Sequence, residues 1–134
     1  EIVSGLIFDP IKDEMFFAEK NKGCYLNNQR LRVSKKNVID DCLFSSNHDG
    51  VKFSKLNIRY TGCAALDLAY VAAGRFDGYF HNNINLWDVA AGSLMVQEAG
   101  GIVNDINKFN NNAINIRASS DGINDKMLRE LENF

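Results

Sequence analysis

The run Trp87-Asp88-Val89-Ala90-Ala91-Gly92, followed by Glu98-Ala99-Gly100-Gly101, sets one carboxylate at the mouth of a helix packed by small residues. An acid there has two uses. It can cap the helix by accepting a hydrogen bond from a free backbone N–H, or it can lean outward and hold a cation. The local pattern leaves both open. Other residues that carry chemistry are few. Cys24, Cys42 and Cys63 are odd in number and far apart, so they offer neither a disulfide framework nor a zinc spacing. Reduced thiols in a cytoplasmic protein are the expectation. His48 and His81 show no paired metal-ligand spacing. A catalytic cysteine needs a base, and none is identifiable for Cys63.

These residues need elements to position them, and the chain is long enough to build them. Its 134 residues suit one domain or part of a larger one. With 46% apolar and 24% charged residues, it has an ordinary globular composition. A net charge of −2 argues against nucleic acid gripped by a basic face. No apolar run approaches the roughly 20 residues of a membrane span, and Glu1-Ile2-Val3-Ser4 lacks the plan of a signal peptide.

The first third reads as antiparallel β. Strands are expected at 2–8, ending at Asp9-Pro10, at 15–18, and at 24–26 and 30–33 around the polar turn Asn27-Asn28-Gln29. Two more are expected at 43–46 and 56–60, with a loop at Asn47-His48-Asp49-Gly50 between them. Helix formers then run from Ala64 to Ala73, and Gly74 sits where a helix end wants a left-handed residue. A strand at 76–80 precedes the helix opened by Asp88, which runs to about Ala99. Short strands follow at 102–103 and 114–116, with a polar surface loop at 107–112 between them. A last helix begins near Ser120-Asp121 and turns Met127, Leu128 and Leu131 inward. Strands alternating with helices in the second half predict an α/β layer beside a β-rich first part. The expected division is 1–46, β-rich, and 47–134, α/β.

Several segments converge on one family. Gly5-Leu6-Ile7-Phe8-Asp9-Pro10, Asp13 to Ala18 and Lys22 to Asn27 resemble the middle of an inositol monophosphatase, and Arg59 to Arg75, Phe76 to Phe80, Trp87 to Gly92 and Glu98 to Gly101 continue the match in order. The wording Ala64-Ala65-Leu66-Asp67-Leu68-Ala69-Tyr70 is most similar to the bacterial extragenic-suppressor branch. The resemblance implies part of a layered αβαβα sugar-phosphatase fold, an α/β (α+β) class. It also implies a cytoplasmic, homodimeric, Mg2+-dependent phosphatase acting on inositol 1-phosphate or another small phosphate monoester, with no nucleic acid and no membrane as partner. Magnesium is a hard ion that demands oxygen ligands, and bound ions draw charge from the phosphoryl group and activate water. By this resemblance Asp88 is the catalytic metal ligand. Gly62, Cys63 and Ala64 line the substrate pocket, where backbone N–H groups of low bulk approach an oxyanion or hydroxyl; the other reading of that segment is a tight strand-to-helix turn.

Two departures concern the substrate. Cys63 stands where a serine or threonine is common, and His81 where a glutamate is common. Histidine can accept through one ring nitrogen or become cationic near neutral pH, or simply sit exposed after a strand. Asp9-Pro10-Ile11 imitates the opening of the family's main metal motif, but Lys12-Asp13-Glu14 follows. Asp9 is therefore read as a turn residue, Asp13 and Glu14 as hairpin charges, and Asp67 and Glu98 as structural helix residues satisfied by nearby backbone or solvent. The match begins after that metal motif, so the chain is expected to be a carboxy-terminal portion with one metal carboxylate, inactive by itself. The segment from Asn47 to Leu56 and the loop after Ile106 are expected to be shortened. A reading from another class is a non-catalytic regulator of the transcription machinery acting through protein contacts; within the enzyme class, the substrate could be another sugar or nucleotide phosphate.

Overall fold

The computed structural model describes residues 1–47, 56–104 and 113–134. His48, Asp49 and Gly50 and the expected loop at 107–112 lie outside the described residues. The first four strands are β1 (Ser4–Asp9), β2 (Glu14–Glu19), β3 (Gly23–Leu26) and β4 (Gln29–Arg30). They form an antiparallel sheet in the order β1-β2-β3-β4. Strict alternation builds it: Ile7, Phe16 and Ala18 point inward, while Leu6, Phe8, Met15 and Phe17 point outward and remain exposed. The sheet is thus apolar on both faces. Asp9 makes the expected turn, its Oδ1 accepting from the Ile11 N–H at 3.0 Å. The turn between β3 and β4 is tighter than expected, Asn27 and Asn28 alone, both with φ above zero. The strand expected at 30–33 stops at Arg30, because the Val33 N–H is taken by the Ala99 carbonyl at the end of a helix.

The second sheet holds β5 (Leu43–Ser45), β6 (Asn57–Arg59), β7 (Gly78–Asn85), β8 (Ile102–Asn104) and β9 (Ala113–Ser119), in the order β6-β5-β7-β9-β8. Strands β6, β5 and β7 are mutually parallel, and β9 is antiparallel to both of its neighbours. Helices α1 (Ala64–Ala72) and α2 (Leu86–Glu98) fill the space between the sheets. Their side chains join Ile7, Phe16, Tyr79, Ile116 and Ala118 in one core. On the far face of the second sheet, α3 (Asn124–Glu130) covers Phe44 and Phe80 with Met127 and Leu131. The layers run β-α-β-α, a mixed α/β fold.

Close approach of α1 and α2 depends on Gly92, where a Cβ would meet the Leu68 Cβ at 2.4 Å. Helix α1 ends as expected, with Gly74 at φ +74°. Helix α3 begins at Asn124 rather than near Ser120, since Asp121–Ile123 is a separate 3-10 turn. No described helix is long and apolar enough to cross a membrane.

Candidate functional site

Parallel strands end together, and the carboxyl ends of β5, β6 and β7 leave a crevice of the kind that α/β sheets use for ligands. Here it is an open cavity of about 530 Å³ lined by Asn47 after β5, Gly62 to Ala65 after β6, His81 and Asn83 to Asn85 in the last part of β7, and Trp87 and Asp88 in α2. All five residues singled out in the sequence, Gly62, Cys63, Ala64, His81 and Asp88, line this one cavity. Asp13, by contrast, lines a separate groove on the outer face of the first sheet.

Asp88 differs from expectation in one respect. Helix α2 starts at Leu86 with Asn85 as its N-cap, so Asp88 is the third helical residue and not the opening one. It caps nothing, because no side-chain hydrogen bond closes this helix start. Its side chain is exposed, with no hydrogen bond or ion pair to another described residue. Helix α1 likewise starts at Cys63 without a side-chain cap. Two uncapped helix starts therefore meet at one cavity, and the positive end of each favours an anion there.

The strand leading into α2 is longer than expected, reaching Asn85 through a register shift between His81 and Ile84. Asn83 takes up the irregularity with φ +58°, a conformation asparagine tolerates better than most residues. Its N–H is held by Asn115 Oδ1 at 2.9 Å. His81 is half-buried, and its Nδ1 lies 2.6 Å from the Asn82 carbonyl oxygen. That contact needs a proton on Nδ1. Cys63 is exposed, whereas Cys24 and Cys42 are buried, and burial pushes both of those thiols up to about 11.

Sequence reasoning missed three asparagines of the wall, Asn47, Asn83 and Asn85, and the indole of Trp87. The visible signal was the Asn82-Asn83 pair just before the helix, polar residues where a strand should have kept alternating. Glu98 is structural and satisfied by backbone as expected, though by backbone of another element: it accepts from the Asn21 and Gly23 N–H groups at 3.0 and 2.9 Å. Asp67 is not satisfied by solvent: it is fully buried, Oδ1 accepts from Thr61 Oγ1 at 2.5 Å, and Oδ2 has no partner.

Burial pushes the Asp67 carboxyl up to about 6, and the Thr61 hydrogen bond offsets only part of this. The folded chain then keeps a proton that the unfolded chain, ionising near 3.8, has already released. Stability should therefore fall as pH rises from about 4 to about 6 and stay lower above, by on the order of 2 kcal/mol. Asp67→Asn removes that loss. In urea titrations it should gain on the order of 1–2 kcal/mol at pH 7.5 and much less at pH 4.5; an equal effect at both would refute the buried charge.

Among the described residues, Asp88 is the one carboxylate on the cavity wall, and Asn47 Oδ1 is already engaged by the Gly62 N–H at 2.9 Å. Among the described residues no group of three or more His, Cys, Asp or Glu could share an ion. Magnesium sheds water reluctantly and wants octahedral oxygen ligands. The described residues do not by themselves complete such a site.

The chain resembles known proteins along nearly its whole length. The model of the inositol monophosphatase family matches residues 1–133. An inositol-1-monophosphatase of Caulobacter vibrioides is 35% identical over 152 aligned positions, covering 97% of this chain and 58% of that protein. Those 152 positions exceed the 134 residues here, so that relative carries stretches without counterpart in this chain. The Nus factor SuhB of Pasteurella multocida is 40% identical over 118 positions, 77% of this chain and 44% of that protein. Among solved structures, the extragenic suppressor protein suhB of Bartonella henselae superposes with a TM-score of 0.85 at 42% identity, covering 97% of this chain and 58% of that one. The inositol monophosphatase of Anabaena (Nostoc) sp. PCC 7120 gives a TM-score of 0.87 at 30% identity, covering 98% and 61%. This chain spans little more than half the length of these relatives, and it belongs to the inositol monophosphatase family.

Proposed function

We propose that this chain forms the helix-start side of a phosphatase site for a small phosphate monoester such as inositol 1-phosphate. The observation that carries the reading is the meeting of Asp88, exposed and without a hydrogen bond or ion pair to any described residue, with the uncapped starts of α1 and α2 in one cavity. An anionic ester is held there by the backbone N–H groups of low bulk in the first turn of α1, from Ala64 onward, since those of Gly62 and Cys63 are taken by Asn47 and Thr61. His81 and the asparagine amides contact the alcohol part. Asp88 would hold magnesium, together with ligands from the part of the family's length that this chain does not span. When bound, the ion neutralises phosphoryl charge and lowers the pKa of water. The proposal includes Mg2+ as cofactor and a homodimer as the assembly.

Trp87, the sole tryptophan, lines the cavity beside Asp88 and serves as the reporter. Titrating the chain with magnesium in the presence of inorganic phosphate should change its indole emission. In Asp88→Asn the magnesium-dependent part should be lost, the apparent affinity weakening about tenfold or more with removal of the one charged ligand. A response that is unaltered in Asp88→Asn would sink the ligand assignment. Phosphate release from inositol 1-phosphate by the 134-residue chain is expected to be absent. Turnover that chelator abolishes would show that the missing ligands are not needed.

A further inference from the structure

Behind the cavity wall lies a polar relay that the ligand reading leaves unused. Gly62 has φ +85° and open space around it, so packing does not hold it in place. Side chains do so instead, from two directions. On one side the Cys63 N–H donates to Thr61 Oγ1 at 3.3 Å, and Thr61 Oγ1 donates to Asp67 Oδ1 at 2.5 Å. On the other side the Gly62 N–H donates to Asn47 Oδ1 at 2.9 Å, and Asn47 Nδ2 reaches the Tyr79 hydroxyl at 3.5 Å. Asp67 on α1 and Tyr79 on β7 are both fully buried. Burial, and after it the nearby Asp67 charge, raises the Tyr79 hydroxyl far above its ordinary range.

A buried carboxylate with one orphaned oxygen costs stability. What the fold gains from it is a fixed acceptor beneath a turn that packing does not hold. Thr61 alone would rotate about χ1. Held by Asp67, its oxygen stays under the Cys63 N–H, and the first turn of α1 keeps one orientation.

We propose that Asp67 is a positioning residue of the cavity, which acts through the Thr61 hydroxyl to fix the Gly62-Cys63 turn and so to hold the first turn of α1, with its unsatisfied N–H groups from Ala64 onward, at the ligand site. The inference rests on the cavity being the ligand site. It requires no contact between Asp67 and the ligand.

Amide hydrogen exchange, followed by NMR on the whole chain at pH 7, tests it. Asp67→Leu and Thr61→Val should accelerate exchange at Gly62 and Cys63 by about tenfold, the equivalent of one lost hydrogen bond, while Tyr79 and Ala118 in the central strands stay unchanged. Asp67→Asn keeps an acceptor and Thr61→Ser keeps the hydroxyl, so both should remain within about threefold of the parent chain. Unchanged exchange at Gly62 and Cys63 in Asp67→Leu overturns the proposal. So does a parallel acceleration of the central strands in both Asp67→Leu and Thr61→Val, which would reduce the pair to a role in general stability. Addition of inorganic phosphate separates the two readings. If it moves none of the Gly62 to Ala65 amide signals although the exchange pattern is as expected, the ligand assignment falls and the relay stands.

Discussion

Replacing Asp77 by alanine should lower the unfolding free energy by about 3 kcal/mol, the penalty for stranding buried hydrogen-bond donors. Asp77 is 1% exposed and serves three segments at once. Its Oδ1 accepts from Ser34 Oγ at 2.5 Å, and Oδ2 accepts from the Leu43 N–H at 2.7 Å and from Lys36 Nζ at 3.3 Å. Its own N–H meets the Leu43 carbonyl at 2.7 Å, and its carbonyl receives the Ser120 N–H at 2.9 Å. One short side chain thus ties the connection between the two sheets to the start of β7. In the alanine variant Lys36 finds water, because it is about half exposed, but the Leu43 N–H does not. The midpoint of thermal unfolding should drop by roughly 10 °C in a domain of this size. Asp77→Asn retains one acceptor and should lose about half as much free energy. A loss below about 1 kcal/mol in the alanine variant would show that water replaces the carboxylate.

Gly92→Ala should destabilise the chain by about 2 kcal/mol net, although alanine favours helix by about 1 kcal/mol over glycine. The opposing term is steric. The new Cβ would lie 2.4 Å from Leu68 Cβ and 2.8 Å from its Cδ1, and a Cβ cannot swing away without moving α1. Because α1 carries Gly62 to Ala65 at its start, this separation reaches the cavity. The companion change Leu68→Gly, which removes that Cβ, should relieve the clash, so the two substitutions together should cost less than their sum by about 1 kcal/mol or more in a double-mutant cycle. Strict additivity would show that the helices move apart freely.

The alternation in Leu6-Ile7-Phe8 and Met15-Phe16-Phe17-Ala18 was enough to place two strands, and both faces of their sheet prove apolar for the same reason. The Asp9-Pro10 turn and the Gly74 helix end were equally legible, since each depends on φ preferences of one or two residues. The end of β4 was not. Leu31 to Val33 carry strand character, and only the Ala99 carbonyl, delivered by α2 from far along the chain, takes the Val33 N–H out of the sheet. The start of α2 was misplaced for a related reason. Asp88 is an acid of the kind that opens helices, which drew the expected start to it, but β7 is paired with β9 as far as Asn85, and the helix begins where pairing ends.

The candidate site divides along the same line. Asp88, His81 and the Gly62-Cys63-Ala64 run were legible as residue types in recognisable order, and order along the chain is a one-dimensional property that residues alone carry. The sequence by itself determined the family, the alternation of strands and helices, and the presence of one acid near a helix start; that this acid caps nothing came from the tertiary structure. Tertiary structure alone decided that the carboxyl ends of β5, β6 and β7 open on a shared cavity, and that Asp67 sits in the core with one oxygen unpaired. The physical reason is distance: burial and hydrogen-bond satisfaction depend on groups from separate elements, here β5, β6, α1, β7 and α2, whose approach is set by packing and not by neighbouring residues.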